Sequence, residues 1–336
     1  MAEALLGIVT VSYNTRDLLR QCLDSGLASL ARSQFAADWV VVDNASADGS
    51  AALVCERYPQ VKLISNERNA GFAAATNQGL RALGFPGPQG PRYALLLNPD
   101  TIVHGEALAR LVAFMEGTPQ AAAKQALPSA AKQALPSGAC GARLVYEDGS
   151  FQHSAFRFPT LFMVFLDFYM PNWRLLDSRL NGRYPRRLYA AGEPFAIDHP
   201  LGAALMVRRE AAQQVGLLDE QFFMYSEEVD WCRRIKGAGW GIYCVPQAEI
   251  VHLAGRSAQQ FREEMFVALW RSRYRYYAKH HSPLYRRAVR LIVGLGLERA
   301  EARVREQVRR GELPRAAAEK RLAAYTQVRA LGRELA

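Results

Sequence analysis

Short runs of consecutive apolar residues, each closed by polar turn formers, recur through the first part of the chain. Leu6 to Val11 leads into Ser12-Tyr13-Asn14-Thr15, and Trp39 to Val42 into Asp43-Asn44-Ala45-Ser46-Ala47-Asp48-Gly49-Ser50. Val61 to Ile64 leads into Asn66 to Phe72, and Tyr93 to Leu97 into Asn98-Pro99-Asp100-Thr101. Runs that stay apolar at successive positions read as strands buried on both faces, as in parallel α/β sheets. The intervening segments carry helical spacing: Leu18, Leu19, Cys22 and Leu23 onward to Leu30, an alanine-rich stretch after Ser50, and Phe72 to Leu83 with Asn77 on its second turn. This alternation predicts a doubly wound α/β domain. Any one polar tip is ordinary turn chemistry. Four of them at the carboxyl ends of strands form the edge where open α/β sheets hold ligands.

The Tyr93 strand makes the sharpest statement. Pro99 cannot donate to a sheet ladder and biases Asn98 toward extended backbone, so the strand must stop there. Asp100 then stands at the end of a buried strand, where a carboxylate either caps the following helix or holds a divalent cation.

A helix is expected from about Gly105 to Met115, after which Ala122 to Ser129 is repeated residue for residue as Ala130 to Ser137. The repeat is too short for a structural unit. It predicts a mobile, dispensable loop over 118–138, because lengthening a surface loop is cheap. Gly141 to Tyr146 and Gly202 to Arg209 are further strands, and Asp148-Gly149 is a turn. The aromatic cluster between Leu161 and Trp173 favours buried core, with Arg183, Arg186 and Arg187 as the argument for an interfacial role. In Phe222-Phe223-Met224-Tyr225-Ser226-Glu227-Glu228-Val229-Asp230, Ser226 reads as an N-cap and three acids crowd the first helical turn. The macrodipole alone accounts for acids there. The apolar residues before them give a carboxylate the raised pKa of a general base. A last strand, Gly239 to Pro246, precedes His252, a metal ligand or a satisfied loop histidine.

Composition narrows the classes. The chain has 336 residues, half of them hydrophobic, enough for one large domain with an appendage. The first strand lacks a basic leader and no apolar run reaches the length of a membrane span, which predicts a cytoplasmic protein. Five cysteines without ligand spacing predict reduced, mostly buried thiols. The net charge of +10 is uneven: residues 253–336 hold 19 Lys/Arg against 8 Asp/Glu. That basic segment interleaves Arg271, Arg273, Arg275, Lys279, Arg286, Arg287 and Arg290 with Trp270, Tyr274, Tyr276, Tyr277 and Tyr285. No nucleic-acid recognition motif accompanies it, so no nucleic-acid partner is expected. An anionic membrane surface and an aromatic face packed on the protein weigh equally. The alternating charges from Glu298 to Ala336 extend the helical character and suit a partner contact or oligomer.

Taken together, Val11-Ser12-Tyr13-Asn14, Val42-Asp43-Asn44-Ala45-Ser46 with Asp48-Gly49-Ser50, Asn69-Ala70-Gly71-Phe72 with Asn77, Leu97-Asn98-Pro99-Asp100, the Phe222 to Asp230 segment and His252 to Ser257 resemble glycosyltransferase family 2. The resemblance spans residues 5–257 and is most similar to its rhamnosyltransferase-like branch. It implies a GT-A fold, an α/β domain with a mostly parallel central sheet flanked by helices over residues 1–257; residues 258–336 beyond it read, from their charge and helical character, as a basic helical C-terminal extension. It also implies an inverting transfer from a dTDP- or UDP-sugar, rhamnose foremost, to a glycan or lipid-linked acceptor of the cell envelope. A divalent metal, Mg2+ or Mn2+, is implied; the basic tail adds the expectation of a peripheral place at the inner face of the membrane.

Carried over by motif, Tyr13 and Asp43 match positions that contact the nucleotide base. Ser12, Asn14, Asn44, Asn69, Gly71, Asn77 and Asn98 match positions of the nucleotide-sugar pocket. Asp100 matches the metal-binding acid and His252 a histidine that completes the metal site. Glu228 matches the catalytic base, with Asp230 second. Asn98 replaces the first acid of the family's Asp-x-Asp motif, and Glu228 stands where aspartate is usual. A nucleotidyltransferase and a non-catalytic nucleotide-sugar-binding module are the rival readings; the first would want a Gly-rich phosphate loop with a following lysine, which the chain lacks.

Overall fold

The computed structural model describes residues 4–117, 135–170, 172–253 and 262–335. The chain begins with β1 (Leu6–Ser12), α1 (Arg16–Leu30), β2 (Ala37–Asp43), α2 (Ser50–Arg57), β3 (Lys62–Ser65) and α3 (Phe72–Ala82). It continues with β4 (Tyr93–Leu97), β5 (Thr101–Val103), α4 (Ala107–Glu116), β6 (Ser137–Val145), β7 (Phe151–Gln152) and β8 (Ala155–Phe156). Next come α5 (Leu161–Phe168), α6 (Arg186–Ala190), β9 (Phe195–Ala196), β10 (His199–Pro200), β11 (Ala204–Arg208) and α7 (Arg209–Val215). The last elements are α8 (Glu227–Gly237), β12 (Gly241–His252), α9 (Arg262–His280), α10 (Pro283–Arg309) and α11 (Arg315–Leu335).

These elements divide into two compact units. One comprises residues 1–158, 184–221 and 227–257; the other comprises 159–183, 222–226 and 258–336. The second unit therefore draws on two internal segments as well as the basic C-terminal region.

The first unit is built on a mixed sheet in the order β3-β2-β1-β4-β11-β6-β12-β5. Its β3-β2-β1-β4 part is parallel throughout, and β11 enters antiparallel between β4 and β6. The apolar runs are buried at every position of β1 and β4, as strands covered on both faces require. On one face, Leu19, Cys22 and Leu23 of α1 and Leu108, Leu111 and Met115 of α4 join the core. On the other, α3 packs Ala75 against Val11, Val40 and Val42. Gly79 of α3 permits that approach, since a Cβ there would stand 2.5 Å from Val9.

Register aligns the strand ends. Ser12 lies opposite Asp43, and Asp43 opposite Ser65, while Leu6 to Val9 pair with Tyr93 to Leu96, so Asp100 follows at the same edge. His252 at the end of β12 lies opposite Thr101. Of the duplicated 118–138 segment, residues 118–134 lie outside the described residues. Its end is not loop: Ser137 and Gly138 open β6, where a Cβ on Gly138 would meet Trp240 at 2.5 Å. The five cysteines are unpaired thiols, buried except for Cys55.

In the second unit, the aromatic residues of α9 are core. Trp270, Tyr274, Tyr276 and Tyr277 are fully buried, with Phe168 of α5 stacked on Trp270 at 5.4 Å. Tyr274 reaches Gly332 of α11, and Arg273 pairs with Asp167. The arginine–tyrosine alternation is thus a packed face alternating with a solvated one. The Leu161 to Trp173 cluster divides: Val164 and Leu166 are buried, whereas Phe162, Phe165 and Trp173 are exposed.

Candidate active site

Every residue assigned from the motifs lies in the first unit, and most gather at the carboxyl edge of its sheet. The loop after β2 is braced from two sides. Asn14, itself at φ 54°, donates its backbone N–H to Ser46 Oγ at 2.9 Å and accepts from Ala47 N at 2.8 Å. Asp48 accepts from Arg16 N and from both the hydroxyl and the N–H of Ser50. Burial pulls the Asp48 carboxyl upward, but these donors outweigh it and hold its pKa below the usual value. Ala45 is left at φ 69°, a conformation disfavoured for a residue with a Cβ, which only such bracing sustains.

Asn44 is a hub rather than a contact surface. Its amide donates to Asn69 Oδ1 at 2.8 Å and to the Gly71 carbonyl at 3.3 Å, and its oxygen accepts from Asn66 and from Ala70 N. Asn69 also accepts from Gly71 N, fixing the turn in which Gly71 takes φ 85° before α3. Ser12 exchanges a hydrogen bond with Thr15 at 2.9 Å. Tyr13, by contrast, is an exposed aromatic plate at the mouth of this edge.

Asn77 is fully engaged by protein groups. Its amide donates to the Leu218 carbonyl and to Glu220, and its oxygen accepts from Leu218 N. Glu220 also pairs with Arg81, and the Asn77 bond, ahead of a smaller burial penalty and the arginine, lowers its pKa. Asn77 ties α3 to the segment preceding α8. Asn77→Ala should cost about 1–3 kcal/mol of stability in a denaturant melt, through the backbone groups it strands, with little change in nucleotide affinity of the folded protein.

Four polar atoms stand at the strand ends. Asp43 is buried; its Oδ2 accepts from Ser46 N at 2.9 Å and its Oδ1 has no protein partner. Asn98 Oδ1 is likewise buried and unpartnered, while its backbone donates to the Ala203 carbonyl. Asp100 is buried, and its Oδ1 lies 3.6 Å from His252 Nε2. His252 Nδ1 lies 3.0 Å from Gln152 Oε1, an acceptor, so that nitrogen carries the proton. Burial lowers the His252 pKa against the opposing pull of Asp100, so the ring is neutral at pH 7 and Nε2 presents a lone pair to the carboxylate. Two acceptors facing each other, with the histidine's second nitrogen held by an amide, form the donor set a divalent cation uses. Among the described residues no group of three or more such side chains forms; a cation held by this pair would complete its coordination with further oxygen ligands, which a diphosphate can supply. The residues present fit a metal that binds together with a diphosphate.

At the start of α8, Glu227 is buried and Glu228 half-buried, each with an unpartnered Oε2. Burial raises both pKa values, and for Glu227 the adjacent Glu228 charge adds to it. Glu228 stands over Gly202, where a Cβ would lie 3.5 Å from its Cγ; the next residue, Ala203, bonds Asn98. Glu228 therefore faces the same edge as Asn98 and Asp100. Asp230 does not share this setting. It is fully buried and paired with Arg234 at 2.8 Å, whose guanidinium also bonds the Val215 and Leu217 carbonyls. Ser226 precedes the helix at φ 64°, not in the extended backbone of an ordinary N-cap.

The pattern of the sequence alone passed over Glu227 and Gln152 as site members. Adjacency to Glu228 was a usable signal for the first. Gln152 had none, since β7 pairing with β6 is what brings it to His252. Residues 254–257, the end of the His252 motif, lie outside the described residues.

Comparison with known proteins bears on the family and the fold. The chain is similar to the N-acetylglucosaminyl-diphospho-decaprenol L-rhamnosyltransferase of Mycobacterium tuberculosis, 29% identical over 312 residues, covering 91% of this chain and 95% of that protein. It is 23% identical over 197 residues to the dTDP-rhamnosyl transferase RfbF of Shigella flexneri, covering 58% and 53%. Among solved structures, its fold is similar to the mannosyltransferase PcManGT from Pyrobaculum calidifontis, determined in complex with GDP-Man and Mn2+. That likeness has a TM-score of 0.53 at 15% identity and covers 100% of this chain and 86% of the other. The profile for glycosyl transferase family 2 matches residues 7–216, and the chain belongs to that family of nucleotide-sugar-dependent glycosyltransferases.

Proposed function

We propose that the chain transfers rhamnose, with inversion, from dTDP-rhamnose to a lipid-linked glycan of the cell envelope. The observation that carries this reading is the set of buried acceptor atoms without protein partners, Asp43 Oδ1, Asn98 Oδ1 and Glu228 Oε2, on residues at or beside the sheet edge that bears the Asp100–His252 pair. Buried acceptors are costly unless a ligand donates to them. The names of the relatives support the sugar and the acceptor class.

In this reading Tyr13 stacks on the base and Asp43 Oδ1 accepts from its ring N–H. The braced loop of Asn14, Asn44, Asn69 and Gly71 holds the backbone against which the nucleoside lies, and Asn98 Oδ1 accepts from a donor hydroxyl. Asp100 and His252 would hold Mg2+ or Mn2+, which, when bound, neutralises the leaving diphosphate. Glu228 accepts the acceptor hydroxyl proton as its oxygen bonds the anomeric carbon and the carbon–phosphate oxygen bond breaks. Raised pKa and an unpartnered oxygen suit Glu228 to that task; Asp230 is committed to Arg234 and serves as an anchor.

The test is a transfer assay offering dTDP-rhamnose and UDP-sugars with a polyprenyl-diphosphate-linked N-acetylhexosamine as acceptor. Transfer from dTDP-rhamnose giving the inverted anomer supports the proposal. Preference for a UDP-sugar changes the donor assignment, and nucleotide binding without transfer to any acceptor would favour a non-catalytic module.

A further inference from the structure

From the second unit alone we infer that the face formed by α5, the turns after it and the outer side of α10 is a docking surface for an anionic lipid bilayer. The inference does not rest on the identity of donor or acceptor. The residues that carry it are Phe162, Phe165, Trp173, Leu284, Leu291 and Leu295, all large, apolar and solvent-exposed, with Trp173 and Leu284 about three-quarters so (74% and 76%).

On α10 the exposure is patterned. At about 100° per residue, Leu284, Leu291 and Leu295 fall within about 40° of one another. The buried Val289, Val293 and Leu297 lie diametrically opposite, so the helix has a second apolar stripe facing away from its core. Arg287, exposed, stands about 40° from the edge of that stripe. Helix α5, Leu-Phe-Met-Val-Phe-Leu-Asp-Phe, is apolar on every side, and its one acid is paired with Arg273. It lies along α10, with Phe168 against Gly296, Arg299 over Tyr169 at 5.4 Å and the Pro159 carbonyl at Tyr285. Phe162 and Phe165 are left outward. The following turns are held by caps rather than loose: Asn172 accepts from Arg174 N and Ser178 from Asn181 N. They present Trp173 beneath the Arg174 guanidinium at 5.7 Å, with Leu176 and Leu180 also exposed.

Aromatic and leucine side chains bordered by arginine are what an interfacial surface needs: apolar groups for the acyl boundary and cations for lipid phosphates. Charge selects the occupant. The unit's C-terminal region, residues 258–336, carries 18 Lys/Arg against 8 Asp/Glu, which complements an anionic leaflet and repels a second copy of itself. No helix among the described residues is long and apolar enough to cross a membrane, so the contact is with the surface.

The test is sedimentation of the full chain with phosphatidylcholine vesicles, pure or with about a third phosphatidylglycerol. Binding is expected only to the anionic vesicles, with a blue shift in tryptophan emission that Trp173→Phe removes. The combined Leu284→Gln, Leu291→Gln and Leu295→Gln variant should bind at least about tenfold more weakly with an unchanged thermal melt. Brominated acyl chains should quench the wild-type emission, a readout that needs no variant to fold. Equal binding by the leucine variant, no binding to either vesicle, or a wild-type dimer that the same substitutions dissociate would each overturn the inference.

Discussion

Glu228→Gln is expected to lower turnover by about 10²–10⁴-fold while raising the melting temperature at neutral pH. The two effects share one cause. Burial raises the Glu228 pKa above its unfolded value of 4.5, so the folded state holds the proton more tightly than the unfolded chain. Stability from this group is fully present below 4.5 and is lost as pH climbs from there through the folded pKa. A neutral amide of the same shape removes that penalty and the base together. Turnover of the wild type should rise across the same interval, because only the carboxylate accepts the proton. Glu227 behaves differently: burial and then the Glu228 charge hold it protonated, so it is neutral while Glu228 ionises, and Glu227→Gln should leave the rising limb of the pH–rate profile in place. Steady-state rates and thermal melts over pH 4–8 check all three; a Glu228→Gln protein with wild-type turnover would remove Glu228 from the mechanism.

Asp100→Ala is the second large effect. It removes the carboxylate that stands 3.6 Å from His252 Nε2 at the strand end. A loss of about 10³-fold or more in turnover is expected, since one charged ligand is the larger part of a two-residue set. Gln152→Ala acts one step away: freed of its partner at Nδ1, the His252 ring loses its fixed tautomer. A 10–100-fold rise in the metal concentration needed for half-maximal activity is expected, with the rate at saturating metal retained. Titrations with Mn2+ and Mg2+ distinguish the two; a rate in Asp100→Ala matching the wild type at every metal concentration would exclude this pair as the metal site.

What the sequence disclosed follows from how locally each feature is encoded. The strands β1, β2 and β4 were legible because continuous apolar runs have one explanation in a chain of this composition. The β1–β2 register then placed Ser12 and Asp43 together with no further information. The antiparallel entry of β11 between β4 and β6 is not local, since either direction buries the same residues. Asn77 shows the same limit. Its position on α3 was legible, but its partners, Leu218 and Glu220, come from a distant part of the chain, and only they distinguish a clamp from a pocket residue. The basic aromatic segment divides along this line too. Trp270, Tyr274 and Tyr277 at spacings of four and three already describe a buried stripe, whereas the exposure of Trp173 depends on which neighbours cover it.

The most direct test of the central claim, a nucleotide-diphosphate site completed by a metal at the Asp43–Asp100 edge, is thermal stabilisation by thymidine and uridine diphosphate with and without Mn2+. At about a hundred times its Kd, a ligand that binds only the folded chain contributes about 2.7 kcal/mol. The account predicts a metal-dependent rise with thymidine diphosphate in the wild type that disappears in Asp100→Ala and shrinks in Asp43→Ala. No rise with either nucleotide, or a rise unchanged by both substitutions, would contradict it.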